Sequence, residues 1–135
     1  AALPQSCAAS TTVLKILRRE NLCERVNPLG DQLKQNLISE LGQHPLVAEI
    51  RGQGLLIGVE IVKEKESLTS FDEKEKITNQ IVGKGLENGV FFYPGGTGEY
   101  RDIICLGPAF IINQEDIDLM VNTLKKCLDH IDSKY

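Results

Sequence analysis

The stretch EIRGQGLLIGVEIVKEK, Glu49 to Lys65, alternates with a period of two. Leu55, Ile57, Val59 and Ile61 fall on one side and Leu56, Gly58, Glu60 and Val62 on the other, the pattern of a strand packed heavily on one face. Val47, Glu49 and Arg51 predict a preceding strand, hairpin-paired through the Gly52-Gln53-Gly54 bend. Glycine inside a strand marks a bulge, a bend, or a place where another backbone or a ligand comes close. Close approach is the preferred reading for Gly52, Gly54 and Gly58. Arg51 reads equally as a plain surface charge and as a cation placed for a carboxylate.

Upstream, the apolar period lengthens to three and four. Ala8, Ala9, Val13, Leu14, Ile16 and Leu17 cover a wide face, predicting a mostly buried helix capped by Ser6. Leu22, Val26, Leu29, Leu33, Leu37 and Leu41 form a second stripe with Pro28 inside it. Proline cannot donate to a helical ladder, so a kink or restart is expected near Asn27, with Asn27 as N-cap and Pro28 at the first helical position. Gly42 supplies the stop.

Downstream, Lys63 to Ser70 is a charged loop whose charges read as solvated. Ser70 and Glu73 have capping-box spacing before a helix with a buried stripe of Ile77, Ile81, Val82 and Leu86, stopped by Asn88-Gly89. Val90 to Tyr93 predicts a short strand. YPGGTGEY, Tyr93 to Tyr100, predicts a loop with unusual backbone freedom. Ile103 to Leu106 predicts a buried strand ended by Gly107-Pro108. Asn113 and the acidic residues after it open a last helix with the stripe Ile117, Met120, Val121, Leu124, Leu128 and Ile131, to be packed on the sheet. The order helix, helix, strand, strand, helix, strand, strand, helix describes one α+β domain over residues 1–135, an antiparallel or mixed sheet covered by helices.

Composition narrows the function. The chain has 135 residues, 41% hydrophobic and 25% charged, with a net charge of −4, typical of one soluble domain with a core. Lysines and arginines are scattered, which argues against nucleic acid as a partner. The longest uncharged apolar run, Leu55 to Val59, is far below the ~20 residues that span a bilayer. Cys7, Cys23, Cys105 and Cys127 lack metal-ligand spacing and read as buried free thiols in preference to disulfides, which points to a reducing cytoplasm. Ala1-Ala2-Leu3-Pro4 shows neither an initiator Met nor a secretory signal, so the chain does not start like a secretory precursor and a fragment is one of the readings left open.

No catalytic machinery is evident. His44 before Pro45 and His130 near the end of the last helix read as structural. No nucleophile has an acid-base partner nearby in sequence, and Gly52-Gln53-Gly54 lacks the strand before and helix after that a dinucleotide fingerprint needs.

HPLVAEIRGQGLLIGVEIV, the preceding Glu20-Asn21-Leu22, and GVFFYPGGTGEYRDIICLGPAFIINQEDID together resemble the C-terminal small domain of class III, pyridoxal-phosphate-dependent aminotransferases. The likeness runs from about Pro4 to Ile131 and is nearest the ω-amino acid and diamine branch. It implies a parent enzyme, expected to be a homodimer, that moves an amino group from an ω-amino acid or amine to a keto acid. The cofactor-bearing large domain would be absent, so this chain alone would hold no pyridoxal phosphate and be inactive. Neither Lys15 nor Lys34 matches the family's cofactor-lysine motif.

The resemblance also implies one wall of a substrate pocket. Many relatives hold the substrate carboxylate with an arginine at the position that here appears as Cys105; others place it in the loop where this chain has Gly98, Glu99 and Tyr100. Arg101 is the nearest substitute, with Gly95, Gly96 and Thr97 giving its loop room to swing; a solvated charge or a partner for Asp102 is the competing reading. Arg51, Gly52 and Gly54 take architectural roles. An exposed apolar surface, and hence self-association, is expected where the large domain would dock. The alternative from another class is a free-standing α+β ligand-binding or protein-interaction module without catalytic activity.

Overall fold

The computed structural model describes residues 3–98 and 101–135. Helices α1 (Pro4–Arg19) and α2 (Leu22–Leu41) lead into strands β1 (Val47–Gln53) and β2 (Leu56–Ile61). A 3-10 turn (Glu73–Glu75), helix α3 (Ile77–Glu87), strands β3 (Tyr93–Gly95) and β4 (Ile103–Leu106), and helix α4 (Gln114–Asp132) follow. The strands pair antiparallel in the order β1-β2-β4-β3. The α+β class and the order of elements are those the sequence predicts.

The hairpin turns on the glycines. Gln53 pairs with Leu56, leaving Gly54-Leu55 as a two-residue turn, and Gly54 has φ +55°, a region open to glycine at little cost. A Cβ on Gly52 would stand 2.2 Å from the Leu56 carbonyl oxygen, and one on Gly54 2.7 Å from Val26 Cγ1 of α2. Gly58 departs from expectation: its nearest neighbour would be Ile103 Cγ2 at 3.5 Å, an ordinary contact. Helix α2 crosses the turn at Gly30, where a Cβ would lie 2.1 Å from the Gly54 carbonyl oxygen.

Alternation in β2 puts Ile57, Val59 and Ile61 in the core, with Leu55 of the turn buried beside them, while Leu56 on the opposite side is exposed. They join Leu33, Leu37 and Leu41 of α2, Ile77 and Ile81 of α3, Ile104 and Leu106 of β4, and Ile117, Leu124 and Leu128 of α4 in one cluster. Helix α4 packs beside α2 and α3 and seals this core. Its start is a complete capping box, with Asp116 N donating to Asn113 Oδ1 at 3.0 Å and Asn113 N to Asp116 Oδ2 at 2.9 Å.

Several boundaries differ from expectation. Helix α1 starts at Pro4 with Leu3 as N-cap and no side-chain cap, because proline's fixed φ and missing N–H suit the first helical position; Ser6 is inside the helix. None of its residues is buried, since it leans on α2 and does not enter the core. Helix α2 runs unbroken through Pro28 from an Asn21 N-cap. Leu22, Leu33, Leu37 and Leu41 are buried from both halves, so tertiary packing outweighs the loss of one ladder bond. Gly42 ends it with φ −60°, outside the left-handed region.

The second capping box forms two residues late, between Asp72 and Glu75, and caps the 3-10 turn. On α3 the buried position is Gly85, and Leu86 points to solvent, because a Cβ at 85 would meet Phe92 Cδ2 at 2.7 Å. Gly89 adopts φ +81° as the helix stop. Val90 and Phe92 are buried, but pairing begins only at Tyr93. Gly95 therefore belongs to a strand, not to the expected loop, whose Glu99 and Tyr100 lie outside the described residues. Lys65 is not simply solvated, since its Nζ donates to the Gly42 carbonyl at 2.8 Å at the end of α2. Of the four thiols, Cys127 alone is buried, its pKa pushed up to about 11 by burial; Cys7 and Cys23 are exposed and Cys105 is half-buried, all four free. No helix of the described residues is long and apolar enough to cross a membrane.

Candidate functional site

A polar cleft of about 290 Å³ opens between the 3-10 turn, the first turn of α3 and the β3–β4 connection. Asp72, Glu73, Lys76, Thr78, Arg101 and Asp102 supply its polar groups, and Gly95 and Gly96 its far wall. Arg101 Nη2 donates to the Phe71 carbonyl at 2.6 Å and Nη1 to the Gly98 carbonyl at 3.3 Å. Carbonyl oxygens orient a guanidinium without neutralising it.

Asp102 anchors the cleft floor. Its side chain accepts from Thr78 Oγ1 at 3.0 Å, and its backbone carbonyl accepts from Ile61 N at 2.7 Å. Burial raises the Asp102 carboxyl above its ordinary value, opposed by the Thr78 hydrogen bond and the Arg101 charge. Thr78 was not singled out from the sequence, and Asp102 entered there only as a competing partner for Arg101; a carboxylate flush against the apolar run Ile103 to Leu106 was the available signal for its place in the cleft.

The structure brings Arg101, Gly95 and Gly96 to this cleft, while Thr97 is exposed and outside its lining. Gly96 has φ +85°. Gly95 is fixed in the β3–β4 pairing opposite Ile103, and a Cβ there would stand 2.5 Å from Cys105 Sγ. Its role is close approach of two strands, not freedom to swing. Arg51 lies on β1, away from the cleft, where Nη1 donates to Glu49 Oε2 at 2.7 Å and to Glu60 Oε2. The Glu60 hydrogen bond raises its pKa first, with Glu49 adding to it. His44 is also tied into structure: Leu46 N donates to its Nδ1 at 3.2 Å, and Nε2 lies 3.4 Å from Asp129 Oδ1.

A second hollow, of about 330 Å³, is apolar. Leu56, Phe91, Tyr93, Cys105, Pro108 and Met120 line it, so Cys105 faces hydrocarbon rather than charge. Beyond Phe91 the surface continues past Ile111 and Leu119 as a wider hollow of about 560 Å³.

The polar cleft does not fit pyridoxal phosphate. In the polar cleft three carboxylates face two cations, Arg101 and Lys76, an arrangement unfavourable to a phosphate dianion. Lys76 is solvent-exposed at the junction between the 3-10 turn and α3, without the desolvated setting that activates a lysine amine. Among the described residues no group of His, Cys, Asp and Glu is placed to hold a metal ion. What the cleft offers is a guanidinium poised over a floor of hydrogen-bonded polar groups.

The family model for class III aminotransferases matches residues 1–128. An uncharacterised aminotransferase of Schizosaccharomyces pombe is 41% identical over 128 residues, covering 93% of this chain and 28% of the relative. Taurine–pyruvate aminotransferase of Bilophila wadsworthia is 33% identical over 132 residues, covering 95% of this chain and 28% of that protein. A crystal structure of a Bacillus anthracis aminotransferase superposes with a TM-score of 0.86 at 36% identity, covering 94% of this chain and 28% of that one. The chain thus spans a little over a quarter of the length of the relatives it matches.

Proposed function

The chain belongs to the class III aminotransferases, and on that premise we propose that it is the C-terminal small domain of an enzyme that moves an amino group from an ω-amino acid or amine to a keto acid. Class III aminotransferases depend on pyridoxal phosphate, which supplies the electron sink for amino-group transfer. In this reading the cofactor is held by a large domain elsewhere in the parent polypeptide. The parent works as a cytoplasmic homodimer, and this chain alone is inactive. The observation that carries the reading is the match along nearly the whole chain to aminotransferases of which it spans about 28%.

The chain's own contribution is one wall of the substrate pocket. Arg101 receives the substrate carboxylate, and Gly96, in its left-handed conformation, shapes the adjoining turn; Gly95 and Thr97 flank it. The described hydrogen bonds of the guanidinium go to the neutral oxygens of Phe71 and Gly98, which supports this role. The 2.6 Å bond to Phe71 also favours a second reading, in which Arg101 only clamps the β3–β4 connection.

The full-length enzyme separates the two. Arg101→Ala is expected to raise KM for β-alanine by about tenfold or more, the worth of a charge-assisted carboxylate contact, and to leave KM for propylamine, which has no carboxylate, unchanged. Equal changes for both donors support the clamp. Amino-group exchange by the 135-residue chain alone would overturn the domain assignment.

A further inference from the structure

Two lines of contact run from the end of α4 to the segment that holds Arg101. Phe71 is buried, and the Tyr135 ring stands edge-on to it, centroids 5.3 Å apart at an interplanar angle of 66°. Lys63 Nζ lies 5.6 Å from the centre of the Tyr135 ring. The carbonyl of that same Phe71 takes the hydrogen bond from Arg101 Nη2. In the second line, Lys134 Nζ donates to Gln80 Oε1 at 2.9 Å, and Gln80 Nε2 donates to the Glu75 carbonyl at 2.7 Å. Both lines end on the segment 71–76, at Phe71 and Glu75, and Asp72, Glu73 and Lys76 of the same segment line one wall of the polar cleft.

Edge-on ring contacts are directional, and a carbonyl oxygen is only as well placed as the residue that carries it. Resting on the reading of Arg101 as the carboxylate-binding group, we propose that Tyr135 and Lys134 are positioning residues that brace segment 71–76 and so aim the Arg101 guanidinium. Tyr135 acts through the Phe71 ring and carbonyl, and Lys134 through Gln80 and the 3-10 turn. Neither touches substrate. Tyr135 is 53% exposed, so its replacement leaves the core intact.

The test uses the full-length enzyme and the first half-reaction, with β-alanine or propylamine as donor. Tyr135→Ala is expected to raise the half-saturating concentration of β-alanine about two- to tenfold, with the maximal rate and the propylamine value unchanged. Tyr135→Phe keeps the ring and should match the parent. Lys134→Ala should shift the β-alanine value in the same direction by a smaller factor. If Arg101→Ala weakens β-alanine selectively while Tyr135→Ala does not, the brace is wrong and the carboxylate reading stands. Should Arg101→Ala itself show no selectivity, both fall. An equal effect of Tyr135→Ala on the two donors would mark Tyr135 as merely structural and overturn the proposal.

Discussion

Gly30 and Gly83 both sit in helices, yet a methyl group added to each should act in opposite directions. At Gly30 it would meet the Gly54 carbonyl at 2.1 Å, and that carbonyl belongs to a turn already fixed by a positive φ. Gly30→Ala should cost about 1–3 kcal/mol, as overpacking does, and lower the melting temperature by roughly 5–10 °C. At Gly83 nothing lies within 4 Å, so Gly83→Ala should gain about 0.5–1 kcal/mol from reduced backbone entropy. Thermal unfolding of the two variants checks both signs. Asp102 makes a third residue-level case. Burial raises its carboxyl pKa, so the folded state binds the proton more tightly than the unfolded one. The resulting stabilisation is present in acid and lost as pH rises through the folded value. Asn keeps the oxygen that accepts from Thr78 and removes the charge. Asp102→Asn should therefore melt higher than the parent at neutral pH, with the gap closing near pH ~3. A lower midpoint at neutral pH would mean that attraction to Arg101 outweighs burial.

Helix α4 owes its start to one side chain. Asn113 satisfies an orphan amide of the first turn, and Asp116 returns the bond. Asn113→Ala should cost about 1 kcal/mol and speed hydrogen exchange in the first turn of α4 before the rest of that helix. Exchange that accelerates evenly along α4 would contradict a local cap. This boundary, the β1–β2 hairpin and β4 were legible in the sequence because their signals are local: side-chain capping, period-two alternation, and a short apolar run closed by Gly107-Pro108. The continuity of α2 through Pro28 was not, because it is decided by apolar side chains that meet the core on both sides of the proline, Val26 before it and Leu29, Leu33, Leu37 and Leu41 after it. Strand β3 slipped for a similar reason. Val90 to Tyr93 has strand-like composition, but Val90 and Phe92 are spent filling the core, and the ladder forms where Tyr93 to Gly95 meet β4. At the site, Arg101 and the glycines were visible as residue types. Two of the anchors, the Phe71 carbonyl to Arg101 and Thr78 to Asp102, come from thirty and twenty-four positions away in sequence, and no period or spacing announces such contacts.

The molecule as a whole leaves apolar surface uncovered. Leu56, Phe91, Tyr93, Ile111 and Leu119 are each about half to two-thirds exposed, and they border two adjoining hollows that share Val90, Phe91 and Met120. Scattered apolar side chains on a surface are ordinary, whereas a contiguous set of this kind marks a place of association. On the proposed reading, this face is the one expected to meet the cofactor-bearing domain of the parent enzyme. In the 135-residue chain by itself, the same driving force should draw two copies together. Fully burying one such side chain is worth about 1.5–3 kcal/mol, so replacing Phe91 and Ile111 with Ser should raise the dissociation constant of the self-associated form at least ~100-fold. Both residues are exposed, so the substitutions should leave the melting temperature of the monomer within about 2 °C. Sedimentation equilibrium of the parent chain and the double variant over a concentration series decides the matter. A parent chain that stays monomeric at the highest concentration, or a variant that associates equally well, would remove this face as the docking surface.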